Sequence, residues 1–260
     1  MTKIIEATAA PKQKLQPVTG NTATGWLKLI ALVFMFIDHS GKMLFPNIFE
    51  MRVLGRIAFP IYAWCIVVGA GYTRSMPRYI LRLAAVGLIS QPLYMQALNH
   101  SWQEPNVFLT LCLGLAAIWG LREKRFGSEI WAPLLALCAA VQTNCDYGWR
   151  GVLFILLLYA CRTSRPAIAA VMAAFCLYWG TNSSTVTQFF FINLGPLFSA
   201  SSLSVLITPW LRLQTLAILA LPLILLRFPR DCRLPKWVGY SLYPAHLALL
   251  WLLEYLKRVL

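Results

Sequence analysis

Residues 26–45 read WLKLIALVFMFIDHSGKMLF and residues 51–74 read MRVLGRIAFPIYAWCIVVGAGYTR. Each is an apolar run on the scale of a membrane-spanning helix, which takes about 20 residues, and each has ionisable groups set into it. Asp38 and His39 follow the nine apolar residues Leu29–Ile37. Arg52 and Arg56 stand four residues apart, so they share one helix face, and Ala58, Phe59, Pro60 and Ile61 come directly behind them. Ionisable groups inside apolar spans are costly and mark functional sites by default.

Outward from these two runs the pattern repeats along the chain. Of 260 residues, 59% are hydrophobic and 12% charged, and the mean hydropathy is +0.64. A soluble domain carries about 25% charged residues, so this chain has too few to cover a water-exposed surface. The composition predicts an all-α, polytopic transmembrane helical bundle rather than a soluble enzyme. Nine spans are expected, near 26–45, 53–72, 79–98, 107–121, 130–143, 148–161, 166–180, 208–227 and 237–257. Residues 1–24 are polar and are expected to form a flexible cytoplasmic tail, with the first span as an uncleaved signal anchor and 25–260 as a single transmembrane domain.

The net charge of +14 would suggest nucleic acid in a soluble protein. Here the cations cluster between apolar runs, as in cytoplasmic loops, and no nucleic-acid partner is expected. With a cytoplasmic N-terminus, the inner segments carry sixteen of the 23 basic residues, while the outer loops near 99–106 and 180–207 carry none. Reading 185–206 as a further span would turn the loop of Arg227, Arg230, Arg233 and Lys236 outward. That segment, QFFFINLGPLF at its centre, is therefore expected to be external with a re-entrant or interfacial helix, giving an N-in, C-out topology.

In this topology further polar residues join Asp38, His39, Arg52 and Arg56 on the outer side. Asn106 opens NVFLTL, Asp146 and Tyr147 lie in the turn NCDYGWRG, and His246 follows Pro244 in YSLYPAHLALL. Asp38 reads equally as a buried counter-ion for Arg56. The three histidines lack metal-ligand spacing and the seven cysteines show no paired pattern, so no metal is expected. No phosphate-binding loop, dinucleotide fingerprint or nucleophile elbow is present.

Lys28 precedes His39 by eleven residues. Eleven steps of about 100° bring the two to one helix face, roughly 16 Å apart along the axis. A cation at the inner mouth and a histidine towards the outer side suit a long anionic donor, and acetyl-coenzyme A has that shape.

Taken in order, LKLIALVFMFIDHSGKMLF, RVLGRIAFPIYAWCIVVGAGYTR, RYILRLAAVGLISQPLY and YSLYPAHLALL resemble the TraX family of conjugative plasmids over most of residues 26–257. Ile37-Asp38-His39 after a lysine-led apolar run, and Gly55-Arg56 before Ala58-Phe59-Pro60, are the most specific parts. The resemblance implies a multi-pass bacterial inner-membrane acyltransferase, associated with N-terminal acetylation of pilin, whose partners are the lipid bilayer and a membrane-embedded pilin subunit. By position it implies His39 as the catalytic residue with Asp38 beside it, and Arg52, Arg56 and His246 within the same site. Lys28 stands where larger membrane acyltransferases carry arginine, which keeps the charge but loses the planar fork. Residues 181–208 match nothing in the pattern.

The expected chemistry is transfer of an acetyl group from acetyl-coenzyme A to an amine, with His39 as general base tuned by Asp38. Arg52 or Arg56 would meet the oxyanion or the donor's phosphates, and Lys28, Asn106, Asp146, Tyr147 and His246 complete the candidate donor and acceptor contacts. A covalent acetyl-histidine, a solute transporter and a non-catalytic pilus-assembly role remain open alternatives at this stage.

Overall fold

A computed structural model describes residues 18–199, 201–232 and 235–259, and the molecule is mostly helical. The order is α1 (Thr24–Met43), α2 (Phe49–Gly55), α3 (Ala58–Tyr72), α4 (Met76–Leu98), α5 (Val107–Glu123), α6 (Ser128–Gln142), α7 (Gly148–Cys161) and α8 (Arg165–Gly180). A two-stranded hairpin follows, β1 (Gln188–Phe189) with β2 (Ile192–Asn193), then α9 (Gly195–Ser199), α10 (Ser201–Ile207), a 3-10 helix Thr215–Ala220, α11 (Leu221–Leu225) and α12 (Lys236–Val259).

Each of the nine apolar runs contains helix, because unbroken apolar sequence has to satisfy its backbone internally. Their lengths differ from expectation. Among the described residues one helical stretch, Phe49–Tyr72, is long and apolar enough to cross a membrane, while Gly148–Cys161, Arg165–Gly180 and Thr215–Leu225 are shorter apolar helices. The run at 208–227 is not one helix, since residues 208–214 form turns before the 3-10 helix begins.

The core gathers around α3, which packs against α1, α5 and α7. Its Phe59, Ile61, Trp64 and Val67 are almost completely buried, as an all-apolar helix requires. The Trp64 indole N–H donates to the carbonyl of Asn21 at 2.7 Å. Asn21 is itself fully buried and its side-chain amide donates to Leu223. The segment expected to be tail therefore packs from Val18 onward, pulled in because a buried indole needs an acceptor. Residues 1–17 lie outside the described residues.

Hydrogen bonds sort the connections into two ends. At one end Thr19 joins Arg162, Arg165 and Arg227, Arg122 donates to Ala70, and the Asp231 carboxylate accepts from the Gly25 and Trp26 amides. At the other, Lys42 meets His100, Asp146 N–H donates to Pro105, Phe190 N–H donates to Glu50, and Lys257 reaches the carbonyl of Leu44. The basic loops thus lie together, opposite the loops without Lys or Arg. The segment at 185–206 departs from expectation: it is a hairpin tied to α2 through Glu50, followed by two short helices, because Asn193, Gly195 and Pro196 interrupt any longer one.

Candidate functional site

The second end of the bundle holds a polar cavity of about 200 Å³. Asp38, His39 and Lys42 of α1, Arg52 and Gly55 of α2, Arg56, and Asp146 with Tyr147 from the α6–α7 turn all line it. Six of the nine residues singled out in the sequence therefore meet at one place, and His246 reaches it by bonding to His39.

Asp38 is the anchor of the cationic side. Its two carboxylate oxygens take one arginine each, Arg52 and Arg56, both at 2.8 Å. The Asp38 side chain is 12% exposed, so the three charges are held mostly out of water and depend on one another. Arg56 also donates to the Arg52 carbonyl and to Gln214, which fixes the fork. A glycine at 55 is needed here: a Cβ at that position would collide with the Asp38 carboxylate.

His39 makes no hydrogen bond with Asp38, its neighbour in the chain. Neighbouring residues on a helix point about 100° apart, and the Asp38 oxygens are taken by the arginines. The partner of His39 is His246, with Nδ1 and Nε2 3.0 Å apart. The tautomers follow from the next bond in the chain. Nδ1 of His246 lies 3.3 Å from the carbonyl of Leu242, which can only accept. With both rings neutral, His246 carries its proton on Nδ1 and offers the Nε2 lone pair to His39 Nδ1–H. The lone pair of His39 is thereby placed on Nε2, which has no partner among the described residues.

Three residues that the sequence reading missed, Lys42, Tyr94 and His100, also line the cavity. Nζ of Lys42 lies 3.1 Å from Nε2 of His100, and Nδ1 of His100 lies 3.2 Å from Glu104. Tyr94 stacks on the His100 ring at 4.7 Å. The Ser101 amide and His100 hold the Glu104 carboxyl below its ordinary range. The available signal was that His100 is the third histidine, in an outer loop without Lys or Arg.

Two candidates stand elsewhere. Asn106 does not line the polar cavity. It caps α5 by accepting from Phe108 N–H, and its amide donates to the carbonyl of Gly87, so its buried polarity is used structurally. Lys28 lies in a second cavity of about 340 Å³, whose walls include Leu29, Leu32, Tyr62, Ile66, Leu83 and Leu111. Lys28 makes no hydrogen bond or ion pair among the described residues. The two cavities share Met35, Val107 and Tyr243 as common wall.

Among the described residues no group of three or more His, Cys, Asp or Glu is placed to hold a metal ion. What the site offers is a lone pair on a fixed imidazole, an arginine pair beside it, and an apolar chamber leading from the opposite end. A helical bundle with these features defines the class.

Comparison with known proteins places it more closely. The family described as TraX protein matches residues 23–254, and the chain belongs to that family. It is 30% identical over 164 residues to the probable fimbrial assembly protein FimC, serogroup H1, of Dichelobacter nodosus, a match covering 57% of this chain and 67% of that one. An uncharacterized protein of Rickettsia prowazekii (strain Madrid E) is 33% identical over 98 residues, 37% of each chain. No solved structure matches.

Proposed function

We propose that this chain is a multi-pass inner-membrane acyltransferase that moves an acetyl group from acetyl-coenzyme A to an amine, the N-terminus of a pilin subunit. The observation that carries the reading is the unpartnered Nε2 of His39, its lone pair fixed by the His246–Leu242 chain beside Arg52 and Arg56. Membership of the TraX family and similarity to a probable fimbrial assembly protein support the pilus context.

The donor's chemistry matches the two cavities. A coenzyme A thioester arm is long and narrow and carries amide groups between its methylenes, and the chamber from Lys28 to Met35 sets Tyr62, Tyr79 and Tyr240 among leucine and isoleucine walls. Asp231 and Cys232 also line that chamber, so the loop bearing Arg227 and Arg230 borders it and adds cations for phosphates. At the other end His39 Nε2 takes a proton from the attacking nitrogen, the oxyanion faces the arginine pair, and the departing sulfur recovers the proton from His39. His246 is a positioning residue that holds the tautomer.

The spans are read as nine, N-in and C-out, with helices that are individually short supported by their neighbours. Alkaline phosphatase fused after Asn182 is expected to be active, and fused after Lys124 inactive; the reverse would put the polar cavity on the cytoplasmic side. The function is tested by incubating purified protein with radiolabelled acetyl-coenzyme A and pilin. Label on pilin supports the transferase, and its absence leaves a transporter or a non-catalytic assembly protein.

A further inference from the structure

Acetylating an amine at neutral pH involves two protons on the acceptor, whereas His39 offers one lone pair. An N-terminal ammonium has a pKa of about 7.7–8.0, so it reaches the site mostly charged and has to lose a proton before nitrogen can attack. The polar cavity is cationic, with Lys42, Arg52 and Arg56 in its wall, and it repels such an acceptor unless a carboxylate receives it.

Two carboxyl groups line the cavity. Asp38 is saturated by Arg52 and Arg56. Asp146 remains, and its carboxyl makes no hydrogen bond or ion pair with another side chain among the described residues. Its backbone is held firmly: the amide donates to Pro105 at 2.9 Å and the carbonyl accepts from the Thr110 hydroxyl. The next residue, Tyr147, adopts a left-handed φ of 65° and stacks its ring on Phe59 at 3.9 Å. A left-handed tyrosine carries backbone strain, which persists only where the surroundings hold it. The turn is thus fixed so that Asp146 fronts the cavity.

We infer that Asp146 receives the charged amine of the acceptor and takes the first of its two protons, leaving the second to His39. The inference rests on the transferase reading above. In the first step the ammonium gives H⁺ to the Asp146 carboxylate and becomes a neutral amine. Its lone pair then forms the N–C bond to the thioester carbonyl, whose π pair moves to oxygen, while His39 Nε2 takes the N–H proton. The carbonyl reforms, the C–S bond breaks with its pair on sulfur, and sulfur takes the proton from His39. The proton on Asp146 leaves towards the outer loops, so one H⁺ is released per amide formed.

The groups that face Asp146 fit this role. Burial pushes its carboxyl up to about 6, opposed by the pull of Arg56 and His100 and reinforced by Asp38. Lys42 from α1, Tyr94 from α4, Tyr243 from α12 and the adjoining Tyr147 line the same space. A carboxyl near 6 is ionised at pH 7 and is a weaker base than the amine, so the first proton moves uphill to Asp146 and is drawn across by the amine's attack on the thioester.

The test is the pH profile of acetyl transfer from acetyl-coenzyme A to purified pilin with a free N-terminus, using full-length protein in lipid nanodiscs. Wild type is expected to hold a nearly flat rate from about pH 7 to 9.5. Asp146→Asn is expected to follow the neutral fraction of the amine, about a tenth at pH 7, so its defect of roughly tenfold there fades to under twofold at pH 9.5. Asp146→Glu should restore the flat profile, and Asp146→Ser supplies a second neutral side chain if Asp146→Asn does not accumulate. Parallel profiles for wild type and the neutral variants, or a defect that persists undiminished at pH 9.5, overturn the assignment. A wild-type protein that transfers no label at any pH overturns the transferase reading itself, a separate result.

Discussion

The two cavities that meet at Met35, Val107 and Tyr243 are built by opposite rules. The one containing Lys28 is walled by Leu29, Leu32, Ile66, Leu83 and Leu111, with charge only near its mouth. Most of its wall is apolar and tolerates substitution as cores do. The one containing His39 is walled by ionisable groups whose protonation and geometry are interlocked, so one change leaves several others unsatisfied. The two kinds of wall are separated along α1, with Lys28 at one end of the helix and Asp38 and His39 at the other.

This contrast can be broken most severely at Asp38. Asp38→Ala strands Arg52 and Arg56 together in a mostly buried place, and losing a buried partner costs about 3–5 kcal/mol. Thermal unfolding in detergent should show the loss, together with abolished transfer. Unchanged stability would mean that the ion pairs are solvated and that the polar cavity is not interlocked.

A pH effect comes next. The folded Asp146 carboxyl lies near 6 because burial raises it above its ordinary value. Its contribution to stability is therefore fully present below about pH 4 and is lost as pH rises through about 6. A rise of that size corresponds to at most about 3 kcal/mol. The stability of Asp146→Asn relative to wild type should accordingly increase between pH 4 and 6.5, and a constant difference would put Asp146 in water.

His39→Ala removes the proposed base without touching the Asp38 network. Transfer should fall on the order of a hundredfold or more while the protein still inserts, and the stability lost should be smaller than for Asp38→Ala because only the His246 Nε2 loses its partner. Wild-type acetylation of pilin by this variant would end the His39 assignment.

The smallest effect belongs to the apolar cavity. Lys28→Gln should raise KM for acetyl-coenzyme A roughly tenfold, about 1.4 kcal/mol, with kcat nearly unchanged, because the lost contact acts equally on bound donor and transition state. Lys28→Arg should be tolerated. A normal KM on quantified, inserted protein would show that Lys28 only anchors α1 at the interface.

Some of this was legible residue by residue. The apolar runs marked where helix would form, since each run carries its own signal. Asp38, His39, Arg52 and Arg56 stand out because a charge among apolar neighbours needs a partner, and a counter-ion pair of Asp38 with Arg56 is one of the two readings the sequence allows. Residues 18–24 misled because their polarity resembles a tail, although Asn21 is buried to satisfy Trp64. Asn106 misled for a related reason: its partners Gly87 and Gln91 lie on another helix.

The sequence by itself determined the helical class, where most of the helices lie and which charged residues stand among apolar neighbours. Those properties are local, written in hydropathy over one or two turns. Tertiary structure alone decided that His39 bonds to a histidine 207 residues away instead of to the adjacent Asp38. It also brought in Lys42, Tyr94 and His100 and, among the described residues, left Asp146 as the cavity's carboxyl without a side-chain partner. Hydrogen-bond partners and proton positions are set within about 3 Å, and only packing brings distant segments of chain that close.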